Sequence, residues 1–343
     1  MERPETPVRR SRRSSGAVTL HDVARLAGVA PITASRAVNT PDRVSDEVRR
    51  RVQQAIAQTG YVPNRLAGGL ASARSRLVAA VVPTITGPVF LPTVQALTES
   101  LAERGYQLML GQSGYEGSRE DALLDAIIGR RPDGVVLTGI MHSSLGRQRL
   151  LGAGLPVVET WDLTTTPIDM LVGFSHVDVG RSVAAYLHGK ARRRLAVVAG
   201  SDERAARRAG AFVAAARAHG LGKPTQRVVS APTTMRSGRQ ALAELMRGTR
   251  RPDAVFCSSD LLALGVLTEA QALGVVVPDD LAVIGFGDVD FCADTRPALS
   301  TVHINAAGIG RQAAHFIVER AEGRTVEPRI VDIGFSIVER ESG

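Results

Sequence analysis

Residues 18–39 read VTLHDVARLAGVAPITASRAVN, and this stretch decides the fold of the amino-terminal part of the chain. Apolar residues recur every three or four positions behind Thr19, which is a favourable N-cap, and Gly28 ends the pattern. Pro31 suits the first turn of a helix and opens a second apolar pattern of the same period. The spacing therefore predicts two short helices joined by a glycine-containing turn.

A third helix is predicted immediately downstream. Ser45 is a suitable N-cap, apolar residues at helical spacing supply an inner face, and Gly60 ends the segment. Three short helices with a tight turn between the first two are typical of a helix-turn-helix module. We therefore predict a helix-turn-helix DNA-binding domain over residues 18–60.

The positive charge of the chain is concentrated around this module. The 343 residues carry a net charge of +8, and residues 1–75 contribute +7 from thirteen arginines and six carboxylates, which leaves +1 for the other 268. A basic head on a nearly neutral body indicates that the head contacts a polyanion. Residues 1–17 are rich in Arg, Ser and Pro and predict a disordered basic tail, whose role is nonspecific phosphate attraction or solubility.

The composition excludes several classes of protein. No apolar run reaches the roughly 18 residues of a membrane span, and the amino terminus has no secretory signal pattern, so we expect a cytoplasmic protein without a membrane partner. Cys257 and Cys292 are too few for a disulfide framework or a four-cysteine zinc site. No phosphate-binding or dinucleotide-binding glycine loop, GxSxG or HExxH motif is present, so we predict no enzyme, no metal and no cofactor.

Beyond the head, strand and helix patterns alternate. The predicted strands are 77–82, 107–110, 134–137, 157–158, 195–199, 227–229, 254–257 and 281–284. The predicted helices are 94–104, 120–128, 179–188, 207–219, 239–247, 261–273 and 307–322. This alternation predicts an α/β body with parallel sheets, and its length favours two similar halves that meet near residues 172–177.

The opening stretch and VSDEVRRRVQQAIAQTGYVPNRLAGGLAS (44–72) resemble the DNA-binding head and hinge of the lactose-repressor (LacI) family of bacterial transcription regulators. The segments RPDGVVLTG (131–139), RPDAVFCSSDLLALGVLTEAQALGVVVPDDLAVIGF (251–286) and RPALSTVHIN (296–305) resemble its effector-binding body, so the likeness spans about residues 18–340. It implies an all-α head, a hinge and a two-subdomain body like periplasmic binding proteins. The implied parts are the hinge at 61–75, the body at 76–343, a first subdomain of about 76–174 and 303–325, and a second of about 175–302 and 326–343.

The resemblance implies that the second helix enters the major groove with Pro31, Ile32 and Arg36 at base-reading positions. Arg36 is the expected polar reader because a guanidinium can fork onto guanine. The side chains of Pro31 and Ile32 donate no hydrogen bond, so we expect apolar contact with a thymine methyl group or shape readout. Small hydroxyl residues nearby suit phosphate contacts. The other predicted DNA contacts are Thr19, Leu20, Thr33, Ser35, Asn39, Asn64, Arg65, Ala67 and Leu70.

The hinge sequence NRLAGGLAS (64–72) matches the family's hinge helix, which implies folding on operator DNA with Leu70 wedged into the minor groove. Gly68 and Gly69 each cost roughly 1 kcal/mol of helix stability, so we expect this hinge to be disordered off DNA. The same pair also fits a plain flexible linker. The resemblance further implies a homodimer on a near-palindromic operator whose half-sites lie about one helical turn apart.

Ligands of open α/β sheets bind beyond the carboxyl ends of the strands, so the loops after the strands predict the effector site. Trp161 and Phe174 fit either apolar platforms for the effector or core of the cleft wall. Arg207 stands where the family commonly places an effector-contacting arginine. The predicted effector residues are Thr84, Thr86, Phe90, Trp161, Asp162, Phe174, Arg204, Arg207, Ser259, Asp260 and Asp288.

One departure from the family pattern concerns the charge of the effector. Gly287 stands where sugar-binding relatives usually carry aspartate, and the loss of that carboxylate beside Arg204 and Arg207 favours an anion. This departure, with SGYEG (113–117) and VGFSHVDVG (172–180), resembles the gluconate-operon repressor branch, which implies gluconate, a related sugar acid or its phosphate. A neutral sugar is the alternative effector. A sugar-binding transport protein is the alternative class, which the basic head disfavours.

Replacing Leu70 by alanine tests the expected hinge. Leu70→Ala should lower operator affinity and operator bending, because the minor-groove wedge is removed, while effector affinity stays unchanged. Gel-shift titration with circularly permuted operator fragments measures affinity and bending together, and calorimetry measures effector binding. Wild-type bending by the variant would contradict the assigned wedge.

Overall fold

The computed structural model describes residues 18–63, 74–115, 117–141 and 143–343. The chain divides into two compact units, Met1–Ser75 and Arg76–Gly343, which we call the head and the body. No helix within the described ranges is long and apolar enough to span a membrane.

The head consists of three α-helices whose ends lie at the predicted capping residues. Gly28 and Gly60 end the first and third helices in the left-handed conformation, with φ of 62° and 66°. The Ser45 hydroxyl accepts the amide hydrogen of Val48 at 3.4 Å, as expected of an N-cap. A short 3-10 turn, Pro41–Arg43, precedes the third helix. The helices are α1 (Leu20–Ala27), α2 (Pro31–Asn39) and α3 (Asp46–Thr59).

The core of the head is built mainly from small side chains. Alanine lets helix axes approach closely, which suits a domain of about 40 residues with little apolar surface to bury. Apolar side chains at intermediate exposure, including Leu20 and Val48, complete the cluster. The buried members are Val23, Ala24, Ala27, Ala34, Ala37, Val52 and Ala55.

The body contains two six-stranded sheets, which confirms the predicted α/β fold with two similar halves. The first sheet has the order β11-β5-β4-β3-β1-β2 and the second the order β12-β10-β9-β8-β6-β7. Every pairing is parallel except that between β10 and β12. The first-sheet strands are β1 (Leu77–Val82), β2 (Gln107–Gln112), β3 (Gly134–Thr138), β4 (Val157–Thr160), β5 (Met170–Gly173) and β11 (Ile330–Asp332). The second-sheet strands are β6 (Leu195–Gly200), β7 (Thr225–Val229), β8 (Ala254–Cys257), β9 (Ala282–Gly287), β10 (Ser300–His303) and β12 (Ser336–Val338).

Helices connect the strands, as parallel sheets require. We call each sheet with its covering helices a subdomain. All seven helices predicted for the body are present. The body helices are α4 (Leu91–Glu103), α5 (Gly117–Ile128), α6 (Ser144–Ala153), α7 (His176–Gly189), α8 (Glu203–Ala218), α9 (Met235–Arg247), α10 (Asp260–Ala272) and α11 (Ala306–Ala321).

Five elements lie outside the predicted set: β5, β10, β11, β12 and α6. The four strands have only three or four residues each, too short for an apolar alternation to be recognised. In α6, Leu145 and Leu151 are exposed and only Leu150 among its leucines is buried, so the helix shows almost no apolar face.

The assignment of residues 326–343 to the second subdomain is wrong for its first part. Strand β11 pairs in parallel with β5 of the first sheet, and Leu171 donates its amide hydrogen to the carbonyl of Arg329 at 2.8 Å. Strand β5 is buried throughout, so its backbone polar groups need partners on both sides, and β11 supplies them on one. The chain returns to the second sheet only at β12.

Helices α9 and α10 touch at two glycines. A Cβ atom on Gly238 would lie 2.2 Å from the carbonyl oxygen of Leu262, and one on Gly265 would lie 2.1 Å from that of Met235. Backbone atoms cannot yield as a flexible side chain does. The close contact of these two helices therefore requires glycine at both positions.

Gly238→Ala should destabilise the body by about 1–3 kcal/mol through overpacking. Gly210→Ala is the matched control, since no atom lies within 4 Å of a Cβ there and alanine favours helix by about 1 kcal/mol. Denaturant unfolding followed by the fluorescence of Trp161, the single tryptophan, reports on the body alone. Equal stability of the two variants would show that the helices separate without cost.

Candidate functional site

A cavity of about 740 Å³, including its open mouth, lies between the two subdomains at the carboxyl ends of their strands. Its walls come from the segments after β1, β2, β4 and β5 of the first sheet and after β6, β7, β8 and β9 of the second. This is the location expected for a ligand of open parallel sheets. A more open cleft of about 1000 Å³ adjoins it.

Six of the eleven predicted effector residues line this cavity, and the remaining five do not. Asp162 faces the adjoining cleft, which Arg204 also lines. Thr86 is exposed on the loop surface and bonds to Thr84, with 2.8 Å between their hydroxyl oxygens. The lining residues from the predicted set are Thr84, Phe90, Trp161, Arg204, Ser259 and Asp260. Those outside the lining are Thr86, Asp162, Phe174, Arg207 and Asp288.

Arg208 lines the cavity, whereas the sequence predicts its neighbour Arg207 at the effector site. Its guanidinium is buried, lies 3.8 Å above the ring of Phe286, and donates from Nη2 to the carbonyl of Ser258 at 3.0 Å. Its Nη1 lies 2.9 Å from Nδ1 of His176, a second lining residue absent from the predicted set. Burial lowers the pKa of Arg208 to about 10, so the group stays charged at neutral pH.

Arg207 is directed away from the cavity and engages carboxylates. It donates to both oxygens of Asp162 at 2.9 and 2.8 Å and to Glu203 at 2.6 Å. Successive residues on an α-helix point about 100° apart, so only one of two adjacent arginines can face the cavity. Burial raises the pKa of Asp162, and the charge of Arg207 acts against that rise.

Trp161 forms one wall of the cavity in a backbone conformation that is rare for a large side chain. Its φ is 64°, and its side chain is 1% exposed. The indole Nε1 donates to the hydroxyl of Thr93 at 3.1 Å, and the ring meets that of Phe90 edge to face with centroids 5.0 Å apart. These contacts hold the loop after β4 in place.

Two of the predicted effector residues pack or bond within the protein and do not line the cavity. Phe174 is fully buried in the core, with Trp161 on one side at 5.9 Å between ring centroids and His176 on the other at 4.8 Å. Asp288 accepts hydrogen bonds from Arg340 at 2.8 Å and from the His303 ring at 2.9 Å. Both residues follow strands, which is why the sequence predicts them at the site, but neither lines the cavity.

Asp260 is a buried carboxyl group at the start of α10. It accepts the Thr301 hydroxyl at 2.6 Å and the amide hydrogen of Val289 at 3.1 Å. Burial raises its pKa above the ordinary value of 3.8. A Cβ at Gly287, where φ is 130°, would lie 3.1 Å from its carboxylate and 3.0 Å from Val89. An aspartate at 287 would thus crowd a second acid against Asp260.

In the head, the residues expected to read DNA form one exposed face of α2. Pro31, Ile32 and Arg36 are exposed, and Ile32 retains 61% of its surface although it is apolar. The Asn39 amide donates to the carbonyl of Ser35 at 3.0 Å. Thr33 and Ser35 are partly buried, whereas Thr19 is exposed and donates its hydroxyl to Asp22 at 2.7 Å. Leu20 packs on the core of the head. Asn64, Arg65, Ala67 and Leu70 lie outside the described residues.

Among the residues that the structure describes, no three His, Cys, Asp or Glu side chains are grouped closely enough to hold a metal ion. Both cysteines are buried, and burial raises the pKa of each thiol above its usual range. The geometry therefore offers a binding cavity and an exposed recognition helix.

Comparison with known proteins gives the same two parts. Residues 19–64 match the family described as bacterial regulatory proteins, lacI family, and residues 184–343 match a periplasmic binding protein-like domain. The chain is 34% identical to the HTH-type transcriptional regulator GntR of Pseudomonas aeruginosa, over 96% of this chain and 97% of that protein.

Two solved structures extend the likeness. A LacI-family transcriptional regulator from Silicibacter pomeroyi has a TM-score of 0.90 at 29% identity and covers 95% of this chain and 99% of its own. The transcriptional regulator CelR in complex with cellobiose has a TM-score of 0.69 at 32% identity, over 95% of this chain and 100% of its own.

A helix-turn-helix head and a two-sheet body with a cleft define a DNA-binding transcriptional regulator. The chain belongs to the LacI family of such regulators, as the sequence resemblance indicated. Members of this family bind operator DNA and small-molecule effectors and are not enzymes, which confirms the prediction that this chain is not one.

Asp260→Asn should remove a pH dependence of stability. The folded pKa lies above that of the unfolded chain, so the folded state binds the extra proton and stability falls as pH rises from about 3.8 through the folded pKa. The asparagine variant lacks this loss. Its unfolding free energy relative to wild type should rise across that window, by at most about 1.4 kcal/mol per pH unit, and then level off. Denaturant unfolding monitored by Trp161 fluorescence measures the unfolding free energies of both proteins at each pH. A difference between them that does not change with pH would contradict the raised pKa of Asp260.

Proposed function

We propose that this regulator is a repressor of sugar-acid utilisation genes and that gluconate or a related sugar acid binds in the cavity between the subdomains and controls operator affinity. The observation that carries the proposal is the buried guanidinium of Arg208. It faces the cavity, and within the described residues it has no carboxylate hydrogen-bonded to it.

The hydrogen-bond partners of Arg208 are uncharged, and the carboxylates of Asp202 and Asp162 act on its charge without hydrogen-bonding to it. Nη1 meets the ring of His176, which is neutral because burial and the adjacent guanidinium lower the pKa of His176 well below its ordinary range. Nη2 meets a backbone carbonyl, and the buried Nε has no hydrogen-bond partner among the described residues. A buried charge whose hydrogen-bond partners are all neutral is costly, and a carboxylate forms the short, paired hydrogen bonds that a guanidinium favours.

A second arginine adds to the positive field. Arg204 lines the same cavity, lies 5.3 Å from the ring centroid of Phe90, and donates to the carbonyl of Thr138 at 2.9 Å. The position of Arg204 supports an anionic group on the effector. Arg207, which the sequence predicts beside it, is instead bonded to Asp162 and Glu203.

The rest of the lining suits a hydroxylated carbon chain. Thr233 and Ser259, whose hydroxyl oxygens lie 2.9 Å apart, and Asp260 offer partners to hydroxyl groups. Trp161 and Phe286 supply apolar walls for the carbon skeleton. A polyhydroxylated carboxylate presents both kinds of group. The similarity to a regulator named GntR supports the same class of effector.

A neutral sugar is the second candidate effector. The solved CelR structure, 32% identical to this chain, is a complex with cellobiose. Asp202 and Asp260 in the lining are acceptors for sugar hydroxyls. The two candidates differ in their interaction with Arg208, because a neutral sugar brings no carboxylate to hydrogen-bond to the guanidinium.

On the DNA side, we propose that Pro31, Ile32 and Arg36 meet base edges, as their exposure on α2 allows. The protein would bind as a homodimer to a near-palindromic operator. Effector binding would change the arrangement of the two subdomains and shift the dimer away from the DNA-bound state. Salt-dependent gel shifts on operator fragments, with and without gluconate, test this scheme. No binding to any such DNA would refute it.

Arg208→Gln should weaken sugar-acid binding by about 10- to 150-fold, since a hydrogen bond to a charged group is worth roughly 1.5–3 kcal/mol. Arg217→Gln is the matched control, because Arg217 lies exposed on the same helix. Isothermal titration of the full chain with gluconate, ketogluconates and 6-phosphogluconate measures the affinities. Binding of a neutral sugar with failure of every sugar acid would favour the second candidate.

A further inference from the structure

His176 connects the two subdomains at the edge of the cavity. It is the first residue of α7, directly after the chain first crosses from the first sheet to the second, and it is 2% exposed. Its Nε2 lies 2.9 Å from the carbonyl oxygen of Trp161, on the loop after β4. Its Nδ1 lies 2.9 Å from Nη1 of Arg208, on α8. One imidazole thus joins a loop of the first subdomain to an arginine of the second.

The two partners fix where the ring carries its proton. A carbonyl oxygen can only accept a hydrogen bond and a guanidinium can only donate one. Nε2 of His176 therefore carries the hydrogen and donates to Trp161, while the unprotonated Nδ1 accepts from Arg208. The other neutral tautomer and the charged ring would each direct an N–H at the guanidinium and lose this bond.

Aromatic packing fixes the positions of the His176 ring and the Arg208 guanidinium. The His176 ring meets Phe174 edge to face at 4.8 Å and lies 6.2 Å from Phe286. Arg208 stacks on that same Phe286. Because the guanidinium is stacked on one face and tied at Nη1 and Nη2, its remaining N–H groups have a single orientation.

We propose that His176 is a positioning residue of the anion site: its Nδ1 orients Arg208 for an anionic effector, and its Nε2–H ties that orientation to the Trp161 loop. The proposal rests on the proposed sugar-acid effector and deepens it. Without the imidazole nitrogens, the guanidinium loses one of its two anchors, and the carbonyl of Trp161 loses the partner that links it to the second subdomain.

Two variants separate the nitrogens from the ring. His176→Phe keeps an aromatic side chain against Phe174 and Phe286 but has no nitrogen. His176→Gln carries an amide whose oxygen can accept from Arg208 and whose nitrogen can donate to Trp161. In calorimetric titration of the full chain with D-gluconate, we expect His176→Phe to bind at least about ten-fold more weakly and His176→Gln to recover part of that loss. His219→Gln, at an exposed position at the end of α8, should bind as wild type does.

A double-mutant cycle shows whether His176 acts through Arg208. In an Arg208→Lys background, where the planar fork is gone, His176→Phe should cause little further loss of gluconate affinity. A structural role would instead make the two losses multiply. Operator affinity without effector should stay unchanged in the control variant His219→Gln.

The outcomes distinguish this proposal from the function on which it rests. If the wild-type protein binds no sugar acid, the proposed function fails. If it binds gluconate and His176→Phe binds equally tightly, or if the losses multiply in the cycle, the positioning role is wrong and the proposed function stands. If His176→Phe does not fold, His176→Gln takes its place in the cycle: a loss of gluconate affinity that disappears in the Arg208→Lys background supports the role, and a loss of equal size in both backgrounds overturns it.

Discussion

A positive charge buried at the carboxyl ends of two parallel sheets is the constraint around which the body is arranged. Arg208 lies on α8 and stacks on Phe286 of the second sheet, and its hydrogen-bond partners among the described residues are a neutral imidazole and a carbonyl. Taking a guanidinium out of water costs free energy that such partners offset in part. The anionic effector proposed above would place a carboxylate beside Arg208, and its binding would then link the stability of the body to occupation of the cavity.

Local backbone strain lies next to that charge. A φ of 64° at a tryptophan costs on the order of 1–3 kcal/mol and persists only where neighbours hold the residue in place. Trp161 is held by Thr93, whose hydroxyl in turn donates to the carbonyl of Ala306 at 2.8 Å, and by the imidazole of His176. The strained loop of the first subdomain and the charged group of the second thus share one side chain. Because His176 is bonded to both, a displacement of the Trp161 loop would change the contacts of Arg208, and a displacement of Arg208 would change those of the loop.

The sequence predicts the head closely and the cavity incompletely, for a physical reason. Helix ends at Gly28, Ser45 and Gly60 depend on chemistry within four residues, which a sequence displays directly. The rule that ligands lie beyond the carboxyl ends of strands identifies six lining residues, because that rule depends only on strand direction. It fails for Arg208, since the choice between two adjacent arginines is set by the packing of α8 against its neighbours. Likewise β11 and β12 are recognised only by the strands with which they pair.

The misplaced prediction at Asp288 shows how the remaining connections between the subdomains are anchored. Asp288 binds His303, the last residue before the second crossing of the chain, and Arg340, which follows the third crossing. His176 lies at the first crossing. Each of the three crossings thus has a side-chain contact at its end in the second subdomain. Movement between the subdomains must then be absorbed in the short segments that remain, at 174–175, 304–305 and 333–335. The first of these segments adjoins His176, which contacts Arg208, so the proposed anionic effector would act on the relative position of the subdomains most directly through this crossing.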